Sequence, residues 1–231
     1  MVYIFFDERY EENYQKFIIP AILVCQDSYS NHFSEESFHD FHSRTQNINF
    51  FLEKVNGSAK IEYGIIKPEY YKPKIKVLIK GIGYVPLTNV IWSIVVLMAV
   101  TSLVVDATSK RKKFNIIDIY HDPRDLNKKH LKLWHSFIKK KLMELINNKI
   151  KEKNLNDGKP ISIRFFRSIK KPTKKNRAGK LQRGIWMADQ LARDKNLVSG
   201  KKLLPKIKVE DISNSLNEVI KKNNFLEYYD S

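Results

Sequence analysis

Val2-Tyr3-Ile4-Phe5-Phe6-Asp7-Glu8 decides how the rest of the chain is read. Five apolar or aromatic residues run into two carboxylates, and polar turn material follows from Arg9 to Gln15. A short run without a polar face predicts a strand buried on both sides. A carboxylate at the end of such a strand is costly to bury unless it reaches solvent, a cation or a metal. Ligands of open α/β sheets gather at that edge. Asp is also common where a turn begins, so Asp7 alone leaves two readings open.

Outward from this stretch, the chain alternates. Phe17 to Cys25 predicts a second strand, antiparallel to the first, with Pro20 at a bulge or a non-pairing position. Ser34 starts a helix as N-cap; Phe38, Phe41, Thr45, Ile48, Phe51, Leu52 and Val55 recur at helical spacing, and Asn56-Gly57 ends it. Ala59 to Ile66 reads as a third strand. Residues 67–83, punctuated by Pro68, Pro73, Gly81 and Gly83, read as loop with a short strand at Ile75 to Ile79.

Val90 to Val105 is the longest apolar run, interrupted only by Ser93, Thr101 and Ser102. A membrane span needs about 20 residues. The shorter run with its hydroxyls predicts a core helix, with Asp106 at its close. A membrane anchor is the competing reading, because Lys110 to Lys113 follow as a positive flank.

Phe114 to Asp122 is again a strand ending in a carboxylate, and Pro123 follows. Asp125 to Ile150 predicts a long basic helix with Leu131, Trp134, Ile138, Leu142, Leu145 and Ile146 on one stripe. Asn156-Asp157-Gly158 is a turn and Ile161 to Phe166 a strand. Lys170 to Lys180 is a basic loop, Leu181 to Lys195 a helix, and Val209 to Lys222 a last amphipathic helix. Strands followed by alternating helices and strands predict an α/β sheet with an antiparallel part at the front.

The net charge of +17 is unevenly placed. Residues 1–110 hold 11 Lys/Arg against 12 Asp/Glu, and residues 111–231 hold 31 against 13. A one-sided basic field points to a polyanion, nucleic acid first and an anionic membrane surface second. A lysine-rich coding bias raises charge too, but it does not explain the asymmetry. Lys170, Lys171, Lys174, Lys175 and Arg177 form the densest basic run and are the candidate nucleic-acid contacts.

Asp189 is misplaced for an ordinary amphipathic helix. It shares a face with Ile185 and Ala192, and Gly184, Ala188 and Ala192 leave room for a close neighbour. The economical account is that Asp189 faces other charges, and Asp7 and Asp122 are the candidates. If their strands are parallel neighbours, they lie about 4.8 Å apart at one sheet edge. Three acids there call for hard, oxygen-seeking cations such as Mg²⁺ or Mn²⁺. Two such ions clamp the attacking and leaving oxygens in phosphodiester hydrolysis.

A first strand ending in Asp7-Glu8, a central strand ending in Asp122 and the helix Gly184-Ile185-Trp186-Met187-Ala188-Asp189-Gln190-Leu191-Ala192 resemble the RNase H-like domain-of-unknown-function family 3800. The resemblance spans most of residues 1–196 through three short motifs. It implies an RNase H-like mixed sheet flanked by helices over residues 1–196, with 197–231 as linker and accessory helix. It also implies a metal-dependent nuclease, in phage-defence or mobile-element settings. Asp7, Asp122 and Asp189 match its acidic positions, with Glu8 beside the first. Arg9-Tyr10 replace the small pair the family has after its first acids, and Trp186-Met187 replace its Leu-Gln. A fourth acid is not identifiable; Asp106 and Asp118 are the weak candidates. A binding-only descendant of the same fold is the alternative.

The remaining reactive residues read as structural. Cys25 lies in an apolar run and is expected to fill core; a lone cysteine fits a reducing, cytoplasmic setting. No secretory signal pattern is expected at the start. His121 could orient a water or a phosphate, although a strand-end His is more often structural. His39 and His42 read as surface residues, and Tyr228-Tyr229 as a terminus that could stack on bases.

Overall fold

The computed structural model describes residues 2–7, 9–10, 17–18, 21–25, 61–63, 76–79, 83–110, 113, 115–122, 128–170, 180–193 and 209–211. In chain order the strands are β1 (Val2–Phe6), β2 (Arg9–Tyr10), β3 (Phe17–Ile18), β4 (Ala21–Cys25), β5 (Ile61–Tyr63), β6 (Lys76–Ile79) and β7 (Gly83–Pro86). Helix α1 (Leu87–Ser109) follows, then β8 (Ile116–His121), α2 (Lys128–Glu152), β9 (Ser162–Ser168), α3 (Lys180–Arg193) and β10 (Val209–Asp211).

Six of the described strands form one mixed sheet in the order β10-β5-β4-β1-β8-β9. On one side of β1 the pairing is antiparallel, to β4 and from β4 to β5. On the other it is parallel, to β8 and from β8 to β9. The antiparallel front expected from the sequence is therefore present. The run Phe17 to Cys25 is split around Pro20: β3 pairs with β2, and β4 with β1.

All five residues of β1 are buried, as the unbroken apolar run demands. The pleat sends Val2, Ile4 and Phe6 to one face. There they join Ile117 and Ile119 of β8 in a core built with Trp92 to Val104 of α1 and with Trp134, Ile138, Leu142, Ile146 and Ile150 of α2. Tyr3 and Phe5 point to the other face, where they stack with Tyr120. Helix α3 packs on that second face, against β1 and β8.

Helix α1 explains how an apolar run with hydroxyls becomes a core helix. The Ser93 hydroxyl donates to the Asn89 carbonyl at 2.7 Å, and Thr108 donates to Val104 and Val105. These bonds remove the cost of burying an O–H. The window Trp92–Ser109 is long and apolar enough to cross a membrane, yet 61% of it is buried within the protein. Asp106 sits in the closing turn, where its carbonyl accepts from the Lys110 N–H and its carboxylate pairs with the Lys110 ammonium at 3.0 Å.

Four expectations need correction or completion. Residues 209–211 begin no helix: Val209–Asp211 is a strand, parallel to β5 at the sheet edge. Three residues are too few to carry a strand pattern of their own. The stretch 67–83, expected to hold one short strand, contributes to a hairpin of Lys76–Ile79 with Gly83–Pro86. Gly83, at φ 105°, has the backbone freedom to leave its turn. Leu145 is 40% exposed, because the buried stripe of α2 runs strictly every fourth residue from Trp134 to Ile150. Leu145 instead borders a groove with Leu97, Met98 and Thr101 of α1. The helix expected between Ser34 and Asn56, and its His39 and His42, lie outside the described residues, as do residues 212–222 and Tyr228-Tyr229.

Candidate functional site

The register of β1 and β8 places the first two acids. Phe6 is the partner of His121 in a parallel pair. The next residue of each strand is Asp7 and Asp122, so the two acids leave the same end of adjacent strands. Alternation puts both on the face of Tyr3, Phe5 and Tyr120, which α3 covers. From this edge β1 leads away to β2 and β4, and β8 to β9 on the opposite side. Strand ends from which the chain diverges in this way are where ligands of open α/β sheets gather.

Helix α3, which carries the third acid, packs on that face. Gly184 rests directly on the Phe5 ring: a Cβ there would lie 2.5 Å from Phe5 Cε1. The helix also packs on β2, which follows Asp7 in the chain, so α3 spans the edge. Asp189 is 6% exposed and Asp7 is 2% exposed, while Asp122 is half-buried. Burying a carboxylate is costly unless it is partnered, so Asp7 and Asp189 are both held by the structure around them.

Behind this edge, on the opposite face, lies a pair of imidazoles, His121 buried and His135 half-buried. His121 Nδ1 donates to the Asp122 carbonyl, which leaves its Nε2 as an acceptor. His135 of α2 donates to that nitrogen through Nε2 at 2.9 Å. Phe6, Trp92 and Phe166 surround the rings. Burial first, and then the His135 neighbour, lower His121 to about 3; burial lowers His135 to about 4. His121 therefore holds the backbone of Asp122 and does not face a substrate, in keeping with the structural reading of a strand-end His. His135 was missed from the sequence; its place beside Trp134, one step off the apolar stripe, was the available signal.

The two weak candidates for a fourth acid are both engaged elsewhere. Asp118, fully buried, accepts from Arg164 Nε at 3.0 Å and from a second guanidinium nitrogen. The bond to Asp118 raises Arg164 further, and Asp118 adds to the burial that pushes Tyr120 up to about 12. Asp106 pairs with Lys110 at the far end of α1.

Carboxylate oxygens alone suit a hard divalent ion. Among the described residues, however, no group of three or more His, Cys, Asp or Glu side chains could hold one. Glu8 lies outside the described residues. So do Lys171, Lys174, Lys175 and Arg177; of the basic run only Lys170 is described, and it is exposed just beyond β9.

No protein-family model matches the chain, and no curated protein matches it.

Proposed function

We propose that the chain is a metal-dependent nuclease of RNase H-like fold that hydrolyses phosphodiester bonds of DNA or RNA. What supports the fold is a mixed sheet, antiparallel in front and parallel behind, with helices on both faces. What supports the activity is one observation: the Phe6–His121 register ends two adjacent parallel strands just before Asp7 and Asp122, and the helix that carries Asp189 packs on both strands. Asp7, Asp122 and Asp189, with Glu8, would hold Mg²⁺ or Mn²⁺, which supplies activated water and a stabilised leaving oxygen when bound. The protein's own part is to exclude water with α3, to fix Asp122 through His121, and to draw in a polyanion with its basic second half.

The test is cleavage of single-stranded, duplex and hybrid substrates by the purified chain with Mn²⁺. Asp7→Asn, Asp122→Asn and Asp189→Asn are each expected to lower the rate by about 10²-fold or more. Activity that survives all three substitutions rules the site out.

The second reading is a binding module of the same fold without catalysis. Its support is that the described residues assemble no three-ligand group. Salt-dependent binding without cleavage under any divalent metal is its expected result.

A further inference from the structure

Strand β9 breaks its own alternation, and the break arranges a cationic surface beside the acid edge. Ile117 pairs with Ile163, but Asp118 pairs with Phe165, so Arg164 is an extra residue in a β-bulge. Ile163 and then Phe166 face the core, whereas Arg164, Phe165 and Arg167 are brought to the face of Asp118 and Tyr120. Without the bulge, Phe165 would oppose Ile119 and Arg167 would turn to the other side.

The two arginines then differ. Arg164 is occupied by Asp118. Arg167 is exposed, lies 4.0 Å over the Phe165 ring, and makes no salt bridge among the described residues. Stacking on a ring holds a guanidinium flat while leaving its N–H edge open to an anion. Arg167 is the register partner of Tyr120, and Asp122 is two residues further along β8 on the same face. An edge built of carboxylates repels a phosphodiester, so a substrate that enters there needs a fixed cation close by.

We infer that Arg167, held over Phe165 by the β9 bulge, binds a backbone phosphate of nucleic acid next to the Asp7–Asp122 edge. The contact is to the phosphodiester and is indifferent to base sequence. Lys170, three residues on, is exposed as well, and the basic run follows it in the sequence. This rests on the nuclease reading for its substrate class, but not for its existence as an anion site.

The experiment measures binding of labelled oligonucleotides of about 20 nucleotides by fluorescence anisotropy in EDTA across a salt series. Arg167→Ala is expected to weaken binding roughly tenfold for every sequence and to lower the salt slope by about one. Arg167→Gln, which keeps side-chain bulk over Phe165, serves if the alanine variant is unstable and is expected to lose the same increment. Lys140→Ala, at an exposed position of α2, controls for bulk charge and is expected to change affinity by about twofold or less. Equal effects of the Arg167 and Lys140 substitutions overturn the inference, as does a wild-type chain that binds no oligonucleotide. Cleavage that needs Asp7 while Arg167→Gln binds normally removes Arg167 and leaves the nuclease. Loss of binding on Arg167→Gln in a chain that cleaves nothing with any metal keeps the phosphate site and removes the nuclease.

Discussion

Gly184 of α3 and Phe5 of β1 are in direct backbone-to-ring contact, closer than any side chain at residue 184 would allow. The contact sets the height of α3 above the sheet, and Asp189 is carried at that height.

Gly184→Ala therefore forces a movement. The ring it meets is fully buried, so it cannot swing away into solvent. Overpacking of this kind costs about 1–3 kcal/mol. The gain in helix propensity from replacing glycine offsets about 1 kcal/mol. A thermal melt is expected to show a net loss of a few degrees, at about 2–4 °C per kcal/mol for a chain of this size. A rise in Tm would show that no such close approach exists in solution.

The imidazole pair predicts an acid-sensitive fold. An unfolded His titrates near pH 6.5, as an order-of-magnitude reference, whereas His121 and His135 are lowered to about 3 and about 4. Above about pH 6.5 both states hold neutral rings, and the pair adds no pH dependence. Below it the unfolded chain takes up protons that the folded chain refuses, so stability falls as pH falls. Each ring contributes up to about 1.4 kcal/mol per pH unit, with the larger share from fully buried His121. Denaturant titrations from neutral pH down to about 4 should show this slope in the wild type and a shallower one in a His121→Phe/His135→Phe variant. Parallel slopes would count against the buried pair.

Arg164 and Asp118 are unequal partners. Asp118 is buried completely, and the Arg164 side chain is 45% exposed. Arg164→Ala leaves a charge inside the sheet, whereas the double variant Arg164→Ala/Asp118→Asn leaves none. The double variant is expected to melt above the single Arg164→Ala variant. Lys110→Ala, which breaks an exposed pair with Asp106, is expected to change stability by about 1 kcal/mol or less. A double variant less stable than Arg164→Ala contradicts this assignment.

Two hydroxyls of α1 should respond in opposite directions. Ser93 donates to Asn89, while Thr101 Oγ1 is buried and has no hydrogen-bond partner among the described residues. Thr101→Val keeps the shape and removes the orphaned group, so about 1 kcal/mol of stabilisation is expected. Ser93→Ala removes a made bond and is expected to cost about 0.5–1.5 kcal/mol. Paired melts of the two variants decide it; a destabilising Thr101→Val would mean that the hydroxyl finds a partner in solution.

The parts legible in the sequence are those written in unbroken hydrophobic runs. Val2 to Phe6, Ile116 to His121 and the core of α1 could be found because burial leaves only isolated polar residues, Asp118 and His121 in the second and Ser93, Thr101 and Ser102 in the third, to interrupt the pattern. That Asp7 and Asp122 follow the same end of adjacent strands was legible for the same reason: each acid marks where such a run stops. Asp189 was legible as an acid on an apolar face. The bulge at Arg164 was harder, because alternation is a property of paired strands and an extra residue is defined only by its partner. The doublet Phe165-Phe166, two large rings in succession after Ile161 and Ile163, was its trace. The His121–His135 bond joins residues 14 apart on different elements, and no local rule links them.

The sheet edge at β10 has a consequence for the order in which the protein is made. Strand β5 pairs with β4 on one side and receives β10 on the other, although 145 residues separate Tyr63 from Val209. A chain emerging from the ribosome can assemble β1, β4, β8 and β9 well before Val209–Asp211 arrives. Until then the outer amides and carbonyls of Ile61–Tyr63 are a template for any extended segment nearby. The last of the described strands to be synthesised is thus the one that covers the outer edge of β5.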